Sequence, residues 1–183
     1  LHAEQDHSGT IPRVLDKYPN AQVMTSVKEK PMLLDLMPEL DPDRITVVND
    51  GDTLSLGDLT FEFIYTPWVH WPETMSAYLV EEKKLFTCDF FGAHLATSKM
   101  YADEDPLVLD SNKLYFSQIM QPLRKFISKN LVKVETHEIE MILPSHGPIY
   151  NKPQFIMDAY DGWVNGPTKN EVVIPFVSMH NST

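Results

Sequence analysis

His2-Ala3-Glu4-Gln5-Asp6-His7-Ser8-Gly9 opens the chain. Four side chains within six residues, His2 to His7, offer metal donors: two imidazoles and two carboxylates. Alternation at positions 2, 4 and 6 predicts an extended segment with His2, Glu4 and Asp6 on one side. His7 follows at once, and Gly9 lets the backbone turn away. A solvated polar loop has the same composition, so the run decides the fold only if the rest of the chain supplies matching donors.

The 183 residues suffice for one domain with a sizeable core, and 43% hydrophobic with 10% aromatic content is ordinary for a globular protein. A net charge of −11 argues against nucleic acid or an anionic membrane as partner. The single cysteine, Cys88, excludes an internal disulfide and favours a reducing, cytoplasmic setting. No apolar run approaches the roughly 18 residues of a membrane span. The chain starts at Leu1 and enters its densest polar motif directly. It ends soon after an apolar stretch, Val172 to Val177, and both features point to a fragment of a longer protein.

Ser8 to Tyr18 predicts a helix capped by Ser8 and stopped by Pro19. Strands are expected at Ala21–Thr25, Arg44–Val48, Thr53–Leu56, Leu59–Tyr65, Ala77–Val80, Lys84–Cys88 and Met141–Leu143, with a turn at Leu56-Gly57-Asp58-Leu59. Lys28 to Leu36 predicts a second helix with Met32, Leu33 and Leu36 inward. Phe90 to Asp110 reads as a long surface loop. Lys113 to Asn130 has helical spacing through Leu114, Phe116, Ile119, Met120, Leu123 and Ile127, with Pro122 marking a kink or break. Asn151 to Val164 is a last helix, and Gly166-Pro167 a stop. Strands and helices mix without a regular βαβ rhythm, so a layered α/β fold fits.

Matching donors do return. His70 lies in Thr66-Pro67-Trp68-Val69-His70-Trp71-Pro72, stiffened by two prolines. Asp89 follows a strand, and His146 stands in Pro144-Ser145-His146-Gly147-Pro148. All three are expected near strand ends, where several strands converge. His2, Glu4, Asp6, His7, His70, Asp89 and His146 are too many for one tetrahedral ion and suit two ions with a bridging carboxylate. Charge agrees: two divalent cations take the sum over Glu4, Asp6 and Asp89 from −3 to +1 (−3 + 4).

The pattern His-x-Glu-x-Asp-His, then His70, Asp89 and His146, resembles the metallo-β-lactamase superfamily. With glutamate where that superfamily's hydrolases carry histidine, it is similar to the flavodiiron proteins, or A-type flavoproteins. His70-Trp71-Pro72-Glu73-Thr74-Met75, Asp89-Phe90-Phe91-Gly92-Ala93-His94 and Leu143-Pro144-Ser145-His146-Gly147 look like that family's later ligand segments. The 62 residues between His7 and His70 and the 18 between His70 and Asp89 fit its spacing.

The resemblance implies an α/β fold, the metallo-β-lactamase-like αββα sandwich, N-terminally truncated: the strands that precede the opening motif are missing. It implies one iron on His2, Glu4 and His70, a second on Asp6, His7 and His146, and Asp89 between them. It also implies reduction of dioxygen to water or of nitric oxide to nitrous oxide, electrons from FMN and a donor such as rubredoxin, and a head-to-tail homodimer. Residues 1–166 would be the diiron domain. Residues 167–183 would be a linker with the first strand and phosphate loop of a flavodoxin-like domain, in which Ser178, Met179, His180, Asn181, Ser182 and Thr183 hold the FMN phosphate. A dinuclear zinc hydrolase of the same fold and a non-catalytic diiron oxygen sensor are the alternatives.

Trp68, Trp71, Phe90 and Phe91 either line an apolar pocket at the metals or pack the core. Cys88, one position before Asp89 on a strand, is expected to face the other way as a buried structural thiol. His94 either neighbours the site or lies on the surface, and His137 and His180 carry no usable pattern.

Overall fold

The computed structural model describes residues 1–167, 170–174 and 177–178. Among these, seven strands form: β1 (Val23–Thr25), β2 (Ile45–Val47), β3 (Thr53–Ser55), β4 (Thr60–Tyr65), β5 (Met75–Leu79), β6 (Lys84–Cys88) and β7 (Met141–Pro144). Strands β3 to β7 make one sheet in chain order, antiparallel except for the parallel pair β6–β7. β1 and β2 pair in parallel as a separate two-stranded sheet.

Period-two alternation divides the apolar side chains among three clusters. Ile64, Tyr78, Leu85 and Ile142 leave one face of the large sheet and meet helices α4 (Val108–Tyr115), α5 (Arg124–Val134) and α6 (Pro153–Asn165). Phe63, Met75 and Ala77 leave the opposite face and pack with Met24 and Val48 around the small sheet. Val23 and Ile45 carry that small sheet onto Leu15 of α2 (Ile11–Lys17) and Leu33 of α3 (Glu29–Leu36). The layers therefore run helix, sheet, sheet, helix, the expected αββα sandwich.

Several expectations change in detail. The opening motif is not extended throughout: Gln5–Ser8 is a short helix, α1, so Asp6 and His7 sit on a helical turn. Ser8 ends α1 instead of capping α2, and its hydroxyl donates to the Ala3 carbonyl at 2.7 Å. Gly9 has an ordinary φ of −59°; a Cβ there would come within 2.6 Å of the Gln5 carbonyl oxygen, so close approach is what requires glycine. Leu36 is exposed, because α3 faces the core through Leu33.

Phe90 to Asp110 is no surface loop at its start: Phe90, Phe91 and Ala93 are buried, and α4 already begins at Val108. The predicted helix over 113–130 is broken, with a π turn at Phe116–Met120 and a 3₁₀ turn at Gln121–Leu123 around Pro122, before α5 runs on to Val134. Leu114, expected on the apolar face, lies in α4 and is exposed. The strand expected at Val172–Val177 does not form in its described residues: Val172, Val173, Ile174 and Val177 are exposed and without regular structure. Met179, His180, Asn181, Ser182 and Thr183 lie outside the described residues, as do Pro175 and Phe176.

Candidate metal centre

Four backbone segments converge at the ends of β5, β6 and β7. The opening segment is pinned where Met75 N–H donates to the Leu1 carbonyl (3.0 Å), and the first turn of α1 closes through His7 N–H to Glu4 O (3.0 Å). His70 sits in the β4–β5 connection, closed by Thr66 N–H to Thr74 O (3.0 Å) and Trp68 N–H to Trp71 O (2.7 Å). Asp89 follows β6 directly. His146 follows β7, where Ser145 N–H donates to Cys88 O (2.8 Å) and Ala93 N–H to His146 O (3.0 Å). Gly147 then turns with φ +86°, a conformation suited to glycine.

The seven donors assemble around Asp89, which is 1% exposed. Its Oδ2 faces His2 Nε2 (3.3 Å) and His70 Nε2 (3.4 Å). Glu4 Oε2 closes that half at 3.1 Å from His2 and 3.2 Å from His70. Its Oδ1 faces His7 Nε2 (3.1 Å) and His146 Nε2 (3.3 Å), and Asp6 Oδ2 lies 3.4 and 3.2 Å from those same nitrogens. Each carboxylate oxygen of Asp89 thus looks into its own triad. Glu4 and Asp6, the most exposed of the seven, form the solvent-side rim.

Charge in this cluster is strongly coupled. The Asp89 carboxylate beside it pushes the His7 imidazole up to about 10. Burial opposes protonation of His70, yet Asp89 and Glu4 outweigh it and raise that group too. Burial would raise the Asp89 carboxyl, but His7 and His70 hold it well below the usual carboxylate range.

The geometry fits a pair of cations. Metal–donor bonds of about 2.1 Å place neighbouring donors roughly 3.0–3.4 Å apart in octahedral or tetrahedral coordination. The separations here run from 3.1 to 3.4 Å. His7 Nε2 and both Asp89 oxygens are buried without a well-formed hydrogen bond, a costly arrangement unless a cation lies between them.

Of the aromatic residues, Trp71 stands edge-on to the His2 ring at 4.9 Å, beside the site. Phe90 and Phe91 stack on each other at 3.9 Å within the core against Tyr160, and Trp68 packs on Phe126. Cys88 is buried as expected but does not face away from the site: its Sγ lies 4.0 Å from His7 Nδ1. A left-handed φ of +53° and an irregular register at the end of β6 break the alternation there. His94 is exposed yet packs on His146 and Tyr115. His137 lies away from the cluster, against Tyr78 and Glu62.

Three contributors had no sequence signal of their own. Glu73 accepts from His2 Nδ1 at 2.8 Å; burial would raise its carboxyl, but the His2 and Ala3 N–H groups lower it. Tyr115 is buried near Asp89, and that burial together with the Asp89 charge pushes its phenol well up. Asn112 donates to the carbonyls of Phe91 (2.9 Å) and Gly92 (2.6 Å), fixing the chain just after Asp89.

Two facing sheets between helices, with a His/Asp/Glu cluster at the strand ends, define a metallo-β-lactamase-like domain. The chain belongs to the family described as ODP family beta lactamase, whose model matches residues 1–147. Nitric oxide reductase of Moorella thermoacetica is 34% identical over 187 residues, covering 100% of this chain and 47% of that protein. The flavodiiron protein from Giardia intestinalis superposes with a TM-score of 0.83 at 33% identity, over 90% of this chain and 41% of that one. Rubredoxin oxygen:oxidoreductase from the anaerobe Desulfovibrio gigas gives a TM-score of 0.85 at 27% identity, over 90% and 42%. The chain spans about half the length of the curated relatives it matches. The resemblance to flavodiiron proteins read from its motifs is borne out.

Proposed function

We propose that this chain is the diiron domain of an oxidoreductase that reduces dioxygen to water, nitric oxide to nitrous oxide, or both. The observation that carries this reading is the division of the cluster by Asp89 into two triads, each with one rim carboxylate. One iron would rest on His2, Glu4 and His70, the other on Asp6, His7 and His146, with Asp89 spanning both. Two histidines and a carboxylate in each triad form a harder donor set than three imidazoles, and this favours iron over zinc. When bound, the irons supply the electrons for reducing the gas.

The chain's own residues hold and shield that chemistry. Asp89 contributes a buried negative charge that offsets cation charge. Trp71 covers the His2 side against water, while the exposed edge at Glu4 and Asp6 leaves a path for a small gas. Electrons are proposed to come from FMN, which accords with the flavodiiron name of the Giardia relative, and from a rubredoxin-type donor, which accords with the Desulfovibrio one. Residues 1–166 then form the diiron domain, and 167–183 lead into an FMN domain whose phosphate loop would be Ser178 to Thr183. In a head-to-tail dimer the flavin of one subunit would face the irons of the other. Among the described residues no helix is long and apolar enough to cross a membrane, and a cytoplasmic location is proposed.

The test is metal analysis of the full-length protein together with anaerobic turnover on each gas. Two irons per chain and reductant-dependent consumption of dioxygen or nitric oxide are expected. Two zinc ions with no iron, or no gas consumption by the iron-loaded protein, overturn the reading.

A further inference from the structure

We propose that Glu73 is a positioning residue that fixes the ring of His2 for metal binding, an inference that rests on the diiron reading above. Glu73 Oε1 lies 2.8 Å from His2 Nδ1, and both side chains are fully buried, at 0% exposure. A carboxylate only accepts, so the proton of that hydrogen bond belongs to His2 Nδ1. The lone pair of the imidazole is thereby assigned to Nε2, the nitrogen that points at Glu4 Oε2 and Asp89 Oδ2, 3.1 and 3.3 Å away. Nε2 can then serve as a metal ligand without a tautomer change.

The carboxylate is itself held. The same Oε1 accepts the Ala3 N–H at 3.1 Å, and the Glu73 backbone carbonyl accepts the Ser26 hydroxyl at 2.8 Å. Trp71, two positions earlier, closes the other side of the ring edge-on. Packing alone does not account for an acid here: Glu73 is 2% exposed and its Oε2 is buried with no hydrogen bond. A neutral side chain would fill that space without burying charge. Among the described residues, His2 is the cluster imidazole whose outer nitrogen meets a carboxylate. Such a partner orients the ring and makes it a better donor.

The experiment is cobalt(II) titration of the metal-free full chain, followed by its visible absorption bands, for wild type, Glu73→Gln and Glu73→Ala. Wild type is expected to take up two ions. Glu73→Ala should weaken one of them by about 10- to 100-fold while leaving the other within about threefold. Glu73→Gln keeps an acceptor at Oε1 without the charge and should recover part of the loss. In parallel, nitrogen-15 NMR of the metal-free chain should show a slowly exchanging His2 Nδ1–H in wild type and Glu73→Gln but not in Glu73→Ala. If Glu73→Ala binds both ions as wild type does and only melts lower, Glu73 is a packing residue and the proposal is wrong. If wild type takes up fewer than two ions, the dinuclear reading fails and the NMR comparison alone judges Glu73: an Nδ1–H that persists in Glu73→Ala then overturns it.

Discussion

At the scale of single residues, Glu4 and Asp89 do different work in the same cluster. Glu4 is a rim carboxylate shared between His2 and His70, and in the proposed diiron site its charge would harden that triad. Glu4→His is expected to lower the iron-to-zinc ratio severalfold in protein grown with both metals, read by elemental analysis. Asp89 is buried between four imidazoles and raises two of them, His7 and His70. In the metal-free chain the raised His7 value contributes stability that is complete below 6.5 and lost as pH rises through about 10. The lowered Asp89 value contributes stability present above 3.8 and lost as pH falls through its folded value. Denaturant midpoints of metal-free protein should therefore fall between pH 6.5 and 10, and Asp89→Asn should flatten that fall. A midpoint that rises with pH over this window contradicts the assignment. Metal affinity should change in the opposite direction, because cations displace protons from these imidazoles. The seven candidate donors that the fold brings together could be picked out in the sequence because donor chemistry and spacing are local properties of the chain. Glu73 was not, since one more glutamate in an acidic chain carries no mark until folding brings it, 71 positions away in sequence, against His2.

At the scale of elements, short strands deliver donors from their ends, and the turns after them set the aim. The β7 turn depends on Gly147, where an added Cβ would meet the Cβ and the carbonyl oxygen of Ala93 at 3.0 Å in a left-handed conformation. Gly147→Ala should cost roughly 1–3 kcal/mol, seen as a lower melting temperature, and should weaken metal binding through His146. The segment after Asp89 depends on Asn112 in α4, which also accepts from the buried Tyr150 hydroxyl at 2.7 Å. Asn112→Ala strands the Gly92 carbonyl, while the Tyr150 hydroxyl keeps its bond to the Phe91 carbonyl at 3.0 Å, and should cost about 1–3 kcal/mol. A melting temperature unchanged in Asn112→Ala would show that the segment is held by other contacts. The positions of most strands and the hairpin at Gly57 could be read from alternation and turn chemistry. The helical run around Pro122 could not be fully read: periodicity marks which residues are apolar, but leaves no mark of the π turn at Phe116–Met120, whose Phe116 packs on Tyr160 and Trp163. The end of β6 misled for a related reason, because one residue with positive φ reverses the side that Cys88 faces.

At the scale of the whole molecule, the described tail beyond α6 adds little to the core: Val172, Val173, Ile174 and Val177 are 78–91% exposed. If residues 1–166 are the diiron domain, a chain ending at Gly166 should melt within about 2 °C of the full chain, a shift that corresponds to at most about 1 kcal/mol of lost packing. A larger drop would place the domain boundary elsewhere. The candidate metal centre is the opposite case, because its residues come from the opening turn, the β4–β5 connection and the ends of β6 and β7, and nothing local joins them. A cation that binds only when all four segments are in place stabilises the folded state by mass action, by about 2.7 kcal/mol at a free concentration 100 times its dissociation constant. For a chain of this size that is a melting shift of roughly 5–10 °C. Iron(II) added anaerobically to the metal-free chain should produce it, a strong chelator should reverse it, and Asp89→Ala, which removes the shared donor, should abolish it. An iron-dependent shift that survives in Asp89→Ala would mean that the metal is held somewhere other than between the two triads.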